Sequence, residues 1–406
     1  MATEYRDLEW PSLSLKERER RFALAKDKMT EMGLEALIVE GGGFDETDAW
    51  FTNDSAGGTV VFPLRGEPTY IVPLTIHGIT ATEVNRQRGI VPWVEDYQAW
   101  DATTTALVTI LRAKGLQSAK IGHVGHRDIL PDLAKQLPDA SFVDFYLTYC
   151  DMLLVKSEEE LALARYVARI GDAACEAMYK AVKPGTSEHE VYAAIAHAIH
   201  LHGAHFNLLI TQTGTGFPSL AWGPPLWRHT PQHPPIIGEG DLVQAEIFPH
   251  YGGIQTQQQM TVATKPVSTL VFELAEVARR SYEAGLNTLR PGVRFADVCQ
   301  AMNKPLEEAG CWNLTPLIHS LNPLILSSPL ETKVDEIPEL KKYRVEPHRN
   351  VYPPVWDYVL KAGMMFELEP NAVRDNQRVN LGGTVVVTKD GAEELNTLST
   401  RMRIAE

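Results

Sequence analysis

Two segments of this chain, 107 residues apart, follow one pattern. They read Lys183-Pro184-Gly185-Thr186-Ser187-Glu188-His189-Glu190-Val191 and Arg290-Pro291-Gly292-Val293-Arg294-Phe295-Ala296-Asp297-Val298. Each separates a long amphipathic stretch (157–182, then 269–289) from a second helical one (188–201, then 295–309). The Pro-Gly pair stops the first helix and turns the chain. β-rich sequence follows each copy: 208–211 and 241–248 after the first, 364–369 and 384–388 after the second. A repeated helix–turn–helix–strand unit suggests an internal duplication. The amphipathic helix pairs then need a sheet to cover. Ser157 and Glu160 form a capping box at the start, so the duplicated domain is predicted to span 156–406.

The 406 residues leave room for a second domain of about 150 residues. Residues 14–33 read as an amphipathic helix with Ser14 as N-cap and Gly33 as stop. Strands are expected at 34–39, 59–63, 69–72, 120–124 and 141–145, with helices at 103–114 and 129–136. This alternation predicts an α/β domain over 1–155, giving the whole chain an α/β (α+β) class.

Lys and Arg number 38 against 52 Asp and Glu, a formal net charge of −14. Nucleic acid and anionic membrane surfaces are therefore poor partners. The four cysteines show no CxxC spacing, which argues against a zinc ribbon or a disulfide scaffold. The first residues lack a basic and apolar leader, and no apolar run approaches the roughly 20 residues of a membrane span. A cytoplasmic protein with reduced thiols is expected.

The chemistry concentrates on two apolar strands that each carry a glutamate and each end in proline. They are Asp241-Leu242-Val243-Gln244-Ala245-Glu246-Ile247-Phe248-Pro249 and Met364-Met365-Phe366-Glu367-Leu368-Glu369-Pro370. With a period of two, Glu246 shares a face with Gln244, and Glu369 with Glu367. His197, His200, His202 and His205 have ligand-like spacings but read as a helix running into a glycine turn. Trp50 and Phe51 are candidate pocket residues. Arg344, His348 and Arg349 read as solvated loop charge.

The segments around Glu246, His319 (Pro316-Leu317-Ile318-His319-Ser320-Leu321-Asn322) and Glu369 together resemble the peptidase M24 superfamily. The resemblance extends to the start of the helical region and to the N-terminal strands. It implies a creatinase-type N-terminal α/β domain followed by a pita-bread C-terminal domain. The metallopeptidases of this family hold two metal ions on Asp, Asp, His, Glu and Glu. Carried over, those positions fall on Glu246, Gln257, His319, Glu369 and Gly382 or Gly383. Two anionic ligands are thus replaced by an amide and a glycine, which cannot neutralise or bridge a cation pair.

The chain therefore resembles the metal-independent branch, which includes creatinase and ectoine hydrolase. The resemblance implies hydrolysis of a C–N bond, amide or amidine, in a small nitrogenous compound. It places Glu246, Glu369, His319 and His229 in the catalytic machinery, with either Glu246 or Glu369 as base and His229 as proton shuttle. Gln257, Gln259 and Glu367, with Trp50 and Phe51, are the expected substrate-binding residues. No metal or other cofactor is expected, although a single divalent ion on Glu246, His319 and Glu369 is an alternative, in a hydrolase or lyase. A catalytically inactive binding protein is another. A homodimer is also expected, with 50–58 of one chain reaching the other.

Overall fold

Ser14 accepts a hydrogen bond from the Glu17 amide (3.2 Å) and starts the helix Leu15–Met32. Gly33 ends it in the left-handed conformation, φ 65°, which costs a residue without Cβ little. The computed structural model describes residues 10–41, 47–54, 57–74, 80, 83, 84, 87, 93–125, 129–329, 337–342 and 357–406. Arg344, His348, Arg349 and part of the 50–58 segment lie outside these residues.

The chain separates into two units, residues 12–153 and residues 154–406 with the stretch up to Pro11. Trp10 joins the second unit, its ring 6.1 Å from that of Tyr166 and 5.9 Å from that of Tyr251.

In the first unit, strands β1 (Ala36–Glu40), β2 (Thr59–Pro63), β3 (Thr69–Pro73), β4 (Asp96–Trp100), β5 (Lys120–Val124) and β6 (Ser141–Asp144) form one sheet in the order β4-β3-β2-β1-β5-β6. β1 runs parallel to β5 and antiparallel to β2, the mixed sheet of an α/β domain. Helices Thr103–Ala113 and Leu130–Gln136 supply Leu107, Leu111 and Leu133 to the core over Ile38, Val61 and Ile121.

In the second unit the duplication is visible in the hydrogen bonds. The helices are Glu158–Ala181, Glu188–Leu201, Thr269–Thr288 and Phe295–Glu308. The turn glycines Gly185 and Gly292 both take a left-handed backbone, φ 88° and 85°. Gly185 N–H donates to the Ile237 carbonyl at 2.8 Å, and Gly292 N–H to that of Leu360 at 2.9 Å. Glu188 N–H donates to Pro235, and Phe295 N–H to Tyr358. Equivalent residues are thus 107 apart on the helix side and 123 apart on the strand side. A segment of 16 extra residues accounts for the change, between Ser320 and Asp357.

The strands are β7 (His205–Thr213), β8 (Leu242–Tyr251), β9 (Ile254–Gln255), β10 (Gln258–Ala263), β11 (Trp312–Asn313), β12 (Ile318–Ser320), β13 (Met365–Leu368), β14 (Asn371–Arg374), β15 (Gln377–Asn380), β16 (Gly382–Val387), β17 (Ala392–Glu394) and β18 (Arg403–Ile404). The central sheet has the order β12-β13-β16-β10-β8-β7, a palindrome if β7, β8 and β10 match β12, β13 and β16. The side chains agree with that match. Thr384 Oγ1 donates to the Gln257 carbonyl and accepts from its amide, both at 2.9 Å. Thr261 does the same with Asn380, at 2.8 and 3.2 Å. Thr261 and Thr384 are 123 residues apart, as are Gln257 and Asn380. Two apolar clusters, one per helix pair, bury the sheet's other face.

Candidate active site

The same offset makes Glu246 and Glu369 equivalent, and likewise Gln244 and Glu367, and Gln259 and Gly382. The register places Glu246 opposite Gln259, Gln259 opposite Gly382, Glu367 opposite Thr384, and His319 opposite Glu367. With side chains alternating along each strand, all of these lie on one face. The sequence left Gly382 and Gly383 as alternatives for one position. The register puts Gly382 on this face, while a Cβ on Gly383 would meet Asn396 and Tyr282.

The face is polar and closed. Glu246, Glu367, Glu369, Gln257, Gln259, His319 and Arg378 are each at most 5% exposed. Glu369 Oε2 accepts from Gln257 Nε2 (3.0 Å), just before β10, and from Gln259 Nε2 within it. Its Oε1 lies 3.4 Å from His319 Nε2. His319 Nδ1 is 3.1 Å from the Ser320 carbonyl, which can only accept, so Nδ1 carries the hydrogen and Nε2 offers a lone pair to Glu369. Glu367 Oε2 accepts from the Thr384 hydroxyl at 3.2 Å.

Arg378 is the buried cation of this face. Its Nε donates to Ser219 O (2.8 Å), Nη1 to Asn371 Oδ1 (3.0 Å) and Nη2 to Ala221 O (3.2 Å), and it lies 4.0 Å from Glu246 Oε1. Asn371 in turn donates to Gln259 Oε1 at 3.1 Å. Trp222 is 55% exposed, yet its indole N–H donates to the buried Glu246 Oε2 at 3.0 Å.

Three carboxyl groups and one guanidinium are therefore buried on one face. Burial raises Glu367 and Glu369 well above the usual carboxylate range, with repulsion from Glu369 and Glu246 adding to the first and repulsion from Glu246 to the second. Burial raises Glu246 too, but Arg378 and the Trp222 N–H oppose the shift. Burial lowers His319 to about 4, so this imidazole is neutral at physiological pH. Burial lowers Arg378 to about 10, which leaves it charged. Glu246 thus has a guanidinium and an indole N–H beside it, while Glu369 faces the His319 lone pair.

Among the residues expected to act, Glu246, Glu367, Glu369, His319, Gln257 and Gln259 are brought together. The N–H₂ groups of Gln257 and Gln259 are directed at Glu369. His229 is exposed at the end of the short turn Leu226–Arg228, and among the described residues no side-chain hydrogen bond joins it to the cluster. Trp50 and Phe51 pack inside the first unit, their rings 4.8 Å apart, with Phe51 5.0 Å from Phe62. Their side chains are thus committed to that unit's core. His200 and His202 bond the carbonyls of Ala204 and Ala198. Arg378, Trp222 and Asn371 were missed. Trp222 had one usable signal, its place seven residues before His229 in the same Gly/Pro-rich loop.

The family's metal pair does not fit these residues. The Gln257 amide donates where an anionic ligand would be needed, and Gly382 has no side chain. A Cβ there would lie 2.8 Å from Glu367 Oε1, 2.9 Å from the Leu368 carbonyl oxygen and 3.0 Å from Gln259 Cβ. Among the described residues, no group of three or more His, Cys, Asp or Glu is arranged to hold a metal ion. Gly382→Ala is expected to cost about 1–3 kcal/mol, because backbone oxygen cannot move aside as a side chain can. Gly383→Ala should cost less, since its nearest contacts are side-chain ends. Urea midpoints of the two variants check this, and equal midpoints would show that the face has slack at Gly382.

A duplicated sheet with convergent carboxylates at its pseudo-twofold defines the pita-bread class. Residues 162–389 match metallopeptidase family M24, and the chain belongs to that family. It is 25% identical over 231 residues to creatinase from Bacillus sp. (strain B-0618), covering 52% of this chain and 53% of that protein. It is 22% identical over 246 residues to the Xaa-Pro dipeptidase of Pyrococcus furiosus, covering 60% of this chain and 64% of that one. The matches thus span about half to two thirds of these relatives' lengths. The fold superposes on dipeptidase PepE from Mycobacterium ulcerans with a TM-score of 0.71 at 20% identity, over 97% of this chain and 99% of that one. The architecture is accordingly a mixed α/β N-terminal domain with an M24 pita-bread domain. No described helix is long and apolar enough to cross a membrane.

Proposed function

We propose that this protein hydrolyses a C–N bond, amide or amidine, in a small nitrogenous compound, without a metal ion. The observation that carries the reading is the division of labour between two equivalent glutamates. Glu246, held ionised near Arg378, is the base that takes a proton from water. Glu369, protonated against His319, is the acid that delivers one to the leaving nitrogen. Acid and base must coexist at neutral pH for such a cleavage, and two equivalent glutamates in different surroundings provide them, Glu246 beside Arg378 and the Trp222 N–H and Glu369 beside the neutral His319. Creatinase among the relatives supports the reaction class, and the Gln257 and Gly382 replacements support metal independence. In this reading His229 is not needed for the proton transfer.

The test is turnover of a panel of small amides and amidines, read as released amine or ammonia, in excess chelator. At least one substrate is expected to turn over at a rate that neither chelator nor added Mn²⁺ changes. Turnover only with added metal would favour the second reading, a single ion on Glu246, His319 and Glu369. The unprotonated Nε2 of His319, facing Glu369, is the feature that favours it. No turnover under any condition would favour a binding protein.

A further inference from the structure

The first helix pair carries a buried carboxyl group that the second does without. Glu188 opens the helix Glu188–Leu201 and is 2% exposed. The residue 107 positions on is Phe295, also 2% exposed, at the start of Phe295–Glu308. Both backbone N–H groups make the equivalent bond, to Pro235 and to Tyr358. Around them Tyr192 and Thr211 match Cys299 and Ile318, which with Phe295 belong to the apolar core of the second half. The fold thus needs no acid at this position, and a buried polar group costs stability unless it is hydrogen-bonded.

Glu188 is bonded, and to the loop that carries Trp222. Its Oε1 accepts from Trp227 Nε1 at 2.9 Å and from the Thr211 hydroxyl at 3.4 Å. The Trp227 ring stands edge-on to Tyr192, centroids 5.5 Å apart, and the Arg228 guanidinium lies 5.0 Å from the Tyr192 ring centre. Tyr192 is one helical turn beyond Glu188, so one helix face clamps residues 227 and 228. Between the clamp and Trp222 lie Gly223, Pro224, Pro225 and Leu226. The two prolines fix φ, so the link is stiff. Gly223 turns it with φ 120°, a backbone that favours glycine. On the other side of Trp222 the chain is held by Arg378, through Ser219 and Ala221. Trp222 is itself 55% exposed, so the chain on either side, more than packing, aims its indole N–H at Glu246.

We propose that Glu188 is a positioning residue for the active site: by accepting from Trp227 it fixes the far side of the loop and so keeps the Trp222 N–H on Glu246. The catalytic consequence rests on the hydrolase reading; the anchoring does not. Solvent exchange of the indole N–H signals in the ¹⁵N-tryptophan-labelled full chain reads the anchoring directly, with the Trp222 signal assigned by Trp222→Phe.

Glu188→Leu copies the apolar character of Phe295, and Trp227→Phe removes the donor from the half-buried end of the bond. Each is expected to speed exchange at Trp222 by about tenfold, the upper end for one hydrogen bond. Glu188→Gln keeps an acceptor and should stay close to wild type. If Glu188→Leu does not fold, Trp227→Phe against Glu188→Gln decides. Wild-type exchange at Trp222 in Trp227→Phe or in folded Glu188→Leu would overturn the proposal, as would acceleration by Glu188→Gln equal to that by Trp227→Phe. With a substrate that turns over, the acidic limb of the pH–rate profile should move to higher pH in Trp227→Phe, because the indole N–H opposes the upward shift of Glu246. Faster exchange with an unmoved limb would keep the anchor and remove Glu246 as the base, which separates failure of the hydrolase reading from failure of this one.

Discussion

Glu369→Gln is expected to lower turnover by about 10²–10⁴-fold, the usual cost of losing a general acid or base, while the melting temperature stays level or rises. The variant removes the proton-holding group but keeps a hydrogen-bonding side chain of the same shape. It also removes the charge that Glu369 would otherwise have to carry, buried and beside Glu246, on ionising. Glu246→Gln should lose as much turnover but also some stability, because it leaves Arg378 without its nearest carboxylate.

The pH dependence separates these roles. Glu367 and Glu369 have raised pKa values in the fold, so their contribution is fully present below the unfolded value of 4.5. It is lost as pH rises through the raised values. His319 is depressed, so its contribution is present above 6.5 and lost as pH falls toward about 4. Wild-type stability should therefore fall on both sides, and Glu369→Gln should flatten the alkaline side alone. Thermal melts between pH 4 and 9 check this. Wild-type turnover per folded molecule in both glutamine variants would place the active site elsewhere.

Arg378→Met is expected to destabilise the second unit by about 3–5 kcal/mol, the range for breaking a buried ion pair from one side. Its loss strands Glu246, the carbonyls of Ser219 and Ala221, and Asn371 Oδ1 at once. Arg378→Lys should recover little, since one ammonium cannot reach three acceptors in a planar fork. The contrast is Arg165→Ala, which breaks an exposed pair with Glu393 (2.8 Å, both side chains 39% exposed) and should cost at most about 1 kcal/mol. Urea unfolding of the three variants gives the ranking, and a similar cost for Arg378→Met and Arg165→Ala would mean the buried network contributes no more than a surface pair.

Local signals explain what could be read without coordinates. Ser14, Ser157 with Glu160, and the Pro-Gly turns declare helix ends within four residues of chain. The alternation around Glu246 and Glu369 declares strands, and their shared face follows from period two. What stayed hidden is non-local. The spacing between equivalent residues changes from 107 to 123 partway through, so no single offset aligns the halves. Arg378 lies in a short strand, Gln377–Asn380, whose partners Ser219 and Ala221 are more than 150 residues away. Trp222 gives no periodic signal in its loop. The choice between Gly382 and Gly383 required the register against Gln259.

We propose that Gln257 and Gly382, in place of anionic ligands, leave this face to work by proton transfer alone. Elemental analysis of the purified, folded protein tests it most directly. Less than one equivalent of transition metal per chain is expected, with no gain in melting temperature on adding Mn²⁺, Co²⁺ or Zn²⁺. One or two tightly held ions per chain, removed only by prolonged chelation and with loss of stability, would contradict it.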